Sequence, residues 1–121
     1  MAHRKLALTS LPGFERDVHA LPDLRTRKMA LDMLAFIRDG RVRGEALGQH
    51  VKTGDLSDCY KFYFDPSGVG KPRYRLVYRY TPNEVEAVAV EAVAVGERSG
   101  LDAYLTAAQR LKRLPRGVDR S

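Results

Sequence analysis

The second half of the chain alternates apolar and polar residues, and this pattern constrains the fold more than any other feature. Tyr60, Phe62 and Phe64 stand at every second position, so they share one face of an extended chain. The same period of two returns in residues 73–80, and residues 85–95 are valine-rich and apolar on both faces. The pattern predicts three consecutive β-strands, the last of them central and covered on both sides.

Short turn segments separate these strands. Residues 65–68 (Asp-Pro-Ser-Gly) follow the first strand, and residues 82–83 (Pro-Asn) follow the second. Strands joined by such short connections pair antiparallel, so the pattern predicts a three-stranded meander. Glu91, in the middle of the third strand, is an exception that the pattern does not explain.

The first half of the chain predicts a short strand over residues 5–9 and then two helices. Ser10 is placed to cap the first helix, with Pro12 in its first turn, where a missing N–H does no harm. Asp23 is a suitable N-cap for the second helix, which extends to Asp39. Apolar positions recur at helical spacing in the first helix at Leu11, Phe14, Val18 and Leu21. The Pro-containing turn between the two helices predicts a helical hairpin.

The remaining segments complete an α+β domain. Residues 41–54 are Gly-rich without periodicity and predict a loop. Ser99 is expected to cap a third helix, with Asp102 three residues further on. The apolar stripe of this helix is Leu101, Tyr104, Leu105, Ala108 and Leu111. We therefore predict one domain over residues 1–114 and a basic flexible tail over residues 115–121. The domain is an antiparallel sheet, made of the N-terminal strand and the meander, with the helical hairpin on one face and a C-terminal helix.

Charge and composition narrow the class of partner. The 121-residue chain has a net charge of +6 and a pI near 9.7. This balance suits nucleic acid, a ribosome or an acidic protein, with a merely solvated basic surface as the alternative. Cys59 is the single cysteine, so an internal disulfide is excluded and a partly buried free thiol is expected. No apolar run approaches the roughly 20 residues of a membrane span. We therefore expect a cytoplasmic protein that does not contact a membrane.

The candidate chemistry lies on one face of the meander. Lys61 and Tyr63 point the same way in its first strand, and Arg73, Arg75 and Arg79 share a face in its second. If the helical hairpin covers the opposite face, the sheet presents a basic surface that carries a phenol. This set has no carboxylate pair, no Ser/His/Asp arrangement and no metal-ligand spacing. Cations together with tyrosines indicate phosphate chemistry without a metal or another cofactor.

Four segments, in this order, resemble the RelE-type toxins of the RelE/ParE toxin superfamily, which belong to bacterial toxin–antitoxin pairs. They are residues 58–61 (Asp-Cys-Tyr-Lys), 74–78 (Tyr-Arg-Leu-Val-Tyr), 95–98 (Val-Gly-Glu-Arg), and Tyr104 with residues 108–111. The resemblance implies a type II toxin with a RelE-like fold. It also implies a metal-independent, ribosome-dependent endoribonuclease that cuts mRNA in the ribosomal A site. The 2′-OH would attack the adjacent phosphate and leave a 2′,3′-cyclic phosphate and a 5′-OH end.

Residue by residue, the positions that match the family's active residues are Lys61, Arg75, Arg98 and Tyr104. The resemblance implies Tyr104 as the base on the 2′-OH, and Arg98 as the group that protonates or stabilises the leaving oxygen. Lys61 and Arg75 would neutralise the charge that develops on the phosphate. Nearby cations would lower the pKa of the tyrosine, whose ordinary value near 10 is too high for an efficient base. Without the resemblance, Tyr104 would be interpreted as a core residue.

Tyr63 departs from the family's pattern, because the family's prototype has a second lysine at this position. The loss of a cation weakens phosphate neutralisation unless Arg73 or Arg79 replaces it. We expect the residues that contact the RNA substrate to be Tyr63, Lys71, Arg73 and Arg79.

Two other functions stay open. A ParE-like inhibitor of DNA gyrase would share the fold but would not need Lys61, Arg98 and Tyr104 together. A non-catalytic binding or regulatory protein with the RelE fold is the other alternative. As partners, the resemblance implies a cognate antitoxin that masks the basic surface, and the ribosome with its mRNA.

Overall fold

The structure, a computed structural model, describes residues 6–50 and 54–113. This part of the chain contains a five-stranded sheet, a two-stranded ribbon and three helices. The elements in chain order are β1 (Ala7–Ser10), α1 (Phe14–His19), α2 (Leu24–Arg38), β2 (Glu45–Ala46), β3 (Gln49–His50), β4 (Gly54–Asp55), β5 (Cys59–Phe64), β6 (Tyr74–Thr81), β7 (Ala89–Glu97) and α3 (Asp102–Arg110). The strand order of the sheet is β1-β7-β6-β5-β2, and β3 pairs with β4 in the ribbon. The predicted α+β class is confirmed.

The predicted meander is also confirmed. β6 lies between β5 and β7 and pairs antiparallel with both. β7 is an inner strand and is largely buried, as its apolar composition on both faces predicts. The N-terminal strand β1 adds to the sheet parallel to β7, with Ala7 opposite Ala89. The sheet is therefore mostly antiparallel, with a parallel pair at one edge.

Each face of the sheet has its own hydrophobic core. The helical hairpin of α1 and α2 packs on one face, where Tyr60, Leu76 and Tyr78 meet Phe14 and Leu34. α3 covers part of the other face, and the buried residues there include Cys59, Val77, Val93, Ala103, Tyr104 and Ala107. The hairpin therefore lies on the face opposite to the predicted basic surface, as the prediction of such a surface required.

The second helix begins as predicted. The Thr26 N–H donates a hydrogen bond to Asp23 Oδ1 at 2.8 Å, and the Thr26 hydroxyl donates to the same oxygen at 2.8 Å. The carboxylate thereby satisfies a backbone donor that the helix itself leaves without a partner. α2 ends at Arg38, one residue before the predicted end.

The predicted start of the first helix is wrong. Ser10 is the last residue of β1 and pairs with Ala92, and the Leu11 N–H donates to the Ala92 carbonyl at 2.9 Å. α1 begins at Phe14, after Gly13 with a φ of 97°, and no side chain caps it. Strand pairing extends the backbone around Ser10, so Ser10 lies too far from the helix to cap it.

The predicted start of the third helix is wrong for a similar reason. The Arg98 N–H donates to the Arg73 carbonyl at 2.7 Å, which extends the contact between β6 and β7 beyond the end of β7. Gly100 then turns the chain with a φ of 73°. α3 begins at Asp102, without a side-chain cap from Ser99.

The apolar stripe of α3 is only partly the predicted one. Leu101 and Leu105 are exposed, although helical spacing placed them on the buried side. The buried residues of the helix are Ala103, Tyr104, Ala107 and Ala108. Three of these four are alanine, and short side chains allow the helix to approach the sheet closely.

The structure also bears on several smaller features of the sequence. The segment predicted as a loop, residues 41–54, contains short strands, because strands of two residues show no periodicity. Glu91 accepts a hydrogen bond from Arg79 Nε at 2.8 Å, which explains a carboxylate in the middle of a strand. Cys59 is a buried free thiol, as expected. No helix in the described ranges is both long and apolar enough to cross a membrane. The predicted tail, residues 115–121, lies outside the described residues.

Candidate active site

Five residues predicted for the site come together on the face of the sheet opposite to the helical hairpin. Their contacts form a continuous chain of cationic groups and aromatic rings. We call this set the cation–tyrosine cluster, and its members are Lys61, Tyr63, Arg75, Arg98 and Tyr104.

The register of the sheet and the start of α3 position these side chains. Tyr63 in β5 lies directly opposite Arg75 in β6. Lys61 is two residues before Tyr63 and therefore shares its face. Arg98 directly follows β7, and Tyr104 enters from the first turn of α3. Residues that are far apart in the sequence thus meet near one end of β5, β6 and β7.

The ring of Tyr63 lies at the centre of the cluster. The distance from its centroid is 5.2 Å to Lys61 Nζ, 5.5 Å to Arg75 Cζ and 4.5 Å to Arg98 Cζ. All three lie within the roughly 6 Å range at which a cation is attracted to an aromatic ring. One partly exposed phenol therefore has three cations around it.

Arg75 connects the two tyrosines. Its Cζ lies 4.1 Å from the ring centroid of Tyr104, closer than to that of Tyr63. Its Nη1 donates to the Gly100 carbonyl at 3.2 Å, and its side chain is buried. Arg75 Nε is also buried and has no hydrogen-bond partner among the described residues. The guanidinium is thus fixed in place, while part of its hydrogen-bonding capacity is unused.

Neighbouring arginines such as Arg73 and Arg79 form ion pairs with carboxylates, and the three cations of the cluster differ from them in this respect. No carboxylate of the described residues forms an ion pair with Lys61, Arg75 or Arg98. A group of cations without carboxylate partners gives a local excess of positive charge. Such a site favours an anion, and phosphate is one of the anions that arginine and lysine commonly bind in proteins.

The two tyrosines of the cluster have opposite pKa shifts. Burial acts to raise the pKa of Tyr63, but hydrogen bonds with Lys61, Arg75 and Tyr104 outweigh it and lower the pKa to about 8. Burial raises the pKa of Tyr104 to about 12, although the nearby Arg75 charge acts in the other direction. The interaction between the two hydroxyls is a cause of both shifts, since it lowers the pKa of Tyr63 and raises that of Tyr104. The more exposed tyrosine is therefore the more acidic one.

The other predicted RNA-binding residues lie outside this cluster. Arg73 Nε donates to Asp65 Oδ2 at 2.8 Å, within the β5–β6 hairpin. Arg79 donates to Glu91 and forms a longer ion pair of 3.6 Å with Asp58. Both arginines therefore have carboxylate partners, and neither is among the cations that contact the Tyr63 ring.

A cleft adjoins the cluster on the side of Arg98. Its volume is about 510 Å³. The residues that line it are Lys71, Pro72, Arg73, Tyr74, Glu97, Arg98 and Ser99. Lys71 and Arg98 thus line the same cleft, and Tyr63 and Tyr104 are not among its lining residues. In the described ranges, no group of histidine, cysteine or carboxylate residues could hold a metal ion.

The sequence pattern did not indicate two features of the site. The first is the contact of Arg75 with the Gly100 carbonyl, which depends on how the chain turns after β7. The second is the central position of Tyr63, because the resemblance marked this residue as the loss of a lysine. The alternation in β5 already placed Tyr63 beside Lys61, and this was the available signal.

Comparisons with known proteins identify the fold. No family model and no curated protein matches the chain. Three solved structures are similar to it. A double arginine-to-alanine mutant of the E. coli toxin RelE in the free state is 19% identical, with a TM-score of 0.59 over 88% of this chain and 98% of that one. The isolated E. coli RelE toxin is 22% identical, with a TM-score of 0.50 over 88% and 98%.

The third similar structure is a complex. It is the toxin–antitoxin complex RelBE2 from Mycobacterium tuberculosis, which is 19% identical with a TM-score of 0.56, over 82% of this chain and 98% of that one. The fold and the site define a small α+β protein with a basic, tyrosine-containing sheet face. Its fold is that of the RelE toxins, so the predicted fold is confirmed.

Proposed function

We propose that this protein is the toxin of a type II toxin–antitoxin pair and that it is a metal-independent endoribonuclease. It would cut mRNA in the A site of the ribosome. The observation that supports this most is the cation–tyrosine cluster, in which three cations that form no ion pair with a carboxylate of residues 6–50 or 54–113 surround a phenol on an open sheet face. Its occurrence on a RelE fold favours the nuclease over the gyrase inhibitor, which does not need such a cluster.

The chemistry of the cluster suits cleavage of a phosphodiester by the neighbouring 2′-OH. In this reaction negative charge accumulates on the phosphate oxygens in the transition state. Lys61, Arg75 and Arg98 are the groups that would neutralise this charge, a role that metal ions have in other nucleases. Fixed donors of this kind contribute more to the rate than mobile ones, because they need no reorganisation during the reaction.

Dependence on the ribosome follows from what the cluster lacks. The cluster contains no histidine and no carboxylate to act as a strong acid or base at neutral pH. The rest of the rate enhancement would then come from orientation. A partner supplies it by holding the 2′-oxygen, the phosphorus and the leaving oxygen in line. The net charge of +6 favours association with the ribosome, a polyanion, and predicts that binding weakens as salt is added.

An antitoxin is the second proposed partner. One of the structural neighbours is a complex of such a toxin with its antitoxin. On this chain the antitoxin would cover the basic sheet face and so keep RNA from the cluster. We also propose that the protein acts in the cytoplasm, where ribosomes and mRNA are found.

In-vitro translation tests the proposal. The purified protein is added to a defined mRNA with and without ribosomes, and the 5′ ends of the products are mapped. We expect cuts within the A-site codon, only when ribosomes are present. Arg98→Ala should reduce cleavage by about 100-fold or more, the usual effect of removing one donor to a developing charge.

Lys28→Ala is the matched control, since Lys28 is an exposed cation on α2 that pairs with Asp32. Its cleavage should equal that of the unaltered protein. If the folded protein cuts no mRNA under any of these conditions, the nuclease is excluded. Inhibition of DNA gyrase would then support the ParE-like alternative.

A further inference from the structure

We infer that Tyr63 is the residue that removes the proton from the 2′-OH, and that Tyr104 is a positioning residue which acts through Tyr63. This inference rests on the proposed function and assigns roles within its site. It differs from the assignment that resemblance implies, in which Tyr104 is the base. Three observations support it: the accessibility of the two tyrosines, the placement of the cations around Tyr63, and the position of Arg75 against both rings.

Accessibility favours Tyr63. A general base must come within hydrogen-bond distance of the proton that it removes. Tyr104 is 3% exposed and packs in the core between α3 and the sheet, against residues such as Val77 and Ala107. Tyr63 is partly exposed, on the open part of the same face. A substrate laid on the sheet can therefore reach Tyr63 without disturbing the core.

The placement of the cations favours the same residue. Lys61, Arg75 and Arg98 all lie within 5.5 Å of the Tyr63 ring centroid. Positive charges around a phenol stabilise its phenolate. The lowered pKa of Tyr63, about 8, agrees with this geometry. At neutral pH a useful fraction of Tyr63 is then in the basic form.

The position of Arg75 explains the role of Tyr104. Arg75 Cζ lies 4.1 Å from the ring centroid of Tyr104 and 5.5 Å from that of Tyr63, so the buried Tyr104 ring packs against the guanidinium that lies beside Tyr63. A cation kept at this place favours the phenolate of Tyr63. Tyr104 thus acts through Tyr63 and need not contact the substrate.

The proposed step balances in protons and bonds. The phenolate oxygen of Tyr63 takes the proton of the 2′-OH, and the 2′-oxygen forms a bond to the adjacent phosphorus. The bond between phosphorus and the 5′-oxygen breaks, and this oxygen takes a proton from water or from a protonated group beside it. The products are a 2′,3′-cyclic phosphate and a 5′-OH, and Tyr63 returns its proton to solvent.

A titration without RNA or ribosomes tests the acid–base part of the inference. Ionisation of the tyrosines is followed by near-ultraviolet absorbance from neutral to alkaline pH. We expect one tyrosine to ionise near pH 8 in the unaltered protein, and this step to be absent from Tyr63→Phe. In Tyr104→Phe the step should move to higher pH, because the Tyr104 hydroxyl no longer helps to lower the pKa of Tyr63.

The rate of cleavage as a function of pH tests the catalytic part. In the unaltered protein the rate should increase with pH and level off above about pH 8. Tyr63→Phe keeps the ring but should lose about 100-fold or more of the rate, the usual contribution of a general base. Tyr104→Phe should keep more activity than Tyr63→Phe, and its profile should shift to higher pH. A purely structural role of Tyr104 would lower the rate without moving the profile.

The possible outcomes separate this inference from the proposed function. If the unaltered protein cuts mRNA and Tyr63→Phe cuts it at the same rate, the inference is wrong and the nuclease stands. The same holds if Tyr104→Phe is inactive while Tyr63→Phe is active, since Tyr104 would then be the base. If the folded, unaltered protein does not cut mRNA, the proposed function is wrong and the inference fails with it.

Discussion

Cys59 shows how a single residue is governed by its surroundings. It is the first residue of β5, and its thiol is buried against α3 in the core of the basic side of the sheet. Burial raises the pKa of the thiol to about 12, and the adjacent Asp58 carboxylate adds to the shift. Since the thiolate is the reactive form, this cysteine has a structural role in the native protein.

We therefore expect Cys59 to be inert towards alkylating reagents while the protein is folded. Iodoacetamide at pH 8 should modify almost none of the native protein and nearly all of the urea-unfolded protein, as measured by mass spectrometry. Rapid modification of the native protein would contradict the buried position of the thiol. The dependence of the modification rate on low concentrations of urea would show whether β5 opens locally.

At the scale of the secondary-structure elements, local hydrogen bonds determine where α2 begins. The Thr26 N–H and hydroxyl both donate to Asp23, and these bonds lower the pKa of the Asp23 carboxyl. The ionised form is therefore favoured in the folded protein. The stabilisation is complete above the pKa of the unfolded chain, about 3.9, and is lost as the pH falls through the lower folded value.

Asp23→Ala tests this contribution. At pH 7 we expect the midpoint of thermal unfolding to fall by roughly 3–6 °C, because an N-cap is lost. The difference between the two proteins should shrink as the pH decreases below about 4. Circular dichroism melts over this range measure both effects. An undiminished difference at low pH would mean that the charge of Asp23 is not involved.

At the scale of the whole molecule, one arginine joins elements from both ends of the described chain. Arg110 in α3 forms an ion pair with Asp17 in α1, with Nη1–Oδ2 and Nη2–Oδ1 distances of 2.5 and 2.8 Å. It also donates to the carbonyls of Val93 and Gly13. Both charged side chains are mostly buried, with exposed fractions of 18% and 17%. The pair thus fixes α3 and α1 relative to the edge of β7.

Removal of Arg110 should destabilise the whole protein. Arg110→Met leaves a largely buried carboxylate without its cation, and we expect a loss of about 3 kcal/mol in the free energy of unfolding. The double variant Arg110→Met with Asp17→Asn should lose less than the sum of the two single changes, because the unpaired charge is absent. Urea denaturation measures all three. Additive losses would show that the two residues do not stabilise one another.

Much of the architecture could be predicted from local patterns. The period of two in residues 56–65 and 73–80 and the turn residues between them led to the meander, and Asp23 led to the start of α2. These features depend on neighbours in the sequence, so the chain itself contains the signal. Ser10 and Ser99 also have capping patterns, but Ser10 itself pairs with β7, and the hydrogen bond from Arg98 to Arg73 continues the contact between β7 and β6 up to the residue before Ser99. Such long-range pairing overrides a local preference.

The candidate site, too, could be predicted from the sequence only in part. Alternation within β5 and β6 was sufficient to place Lys61, Tyr63 and Arg75 on one face, because side chains in a strand alternate by geometry alone. Only the tertiary structure decided which arginines have a carboxylate partner and which tyrosine is buried. The shifts in pKa that distinguish Tyr63 from Tyr104 arise from distances across β5, β6, β7 and α3. Charge and burial depend on the three-dimensional surroundings, which the order of residues determines only through the complete fold.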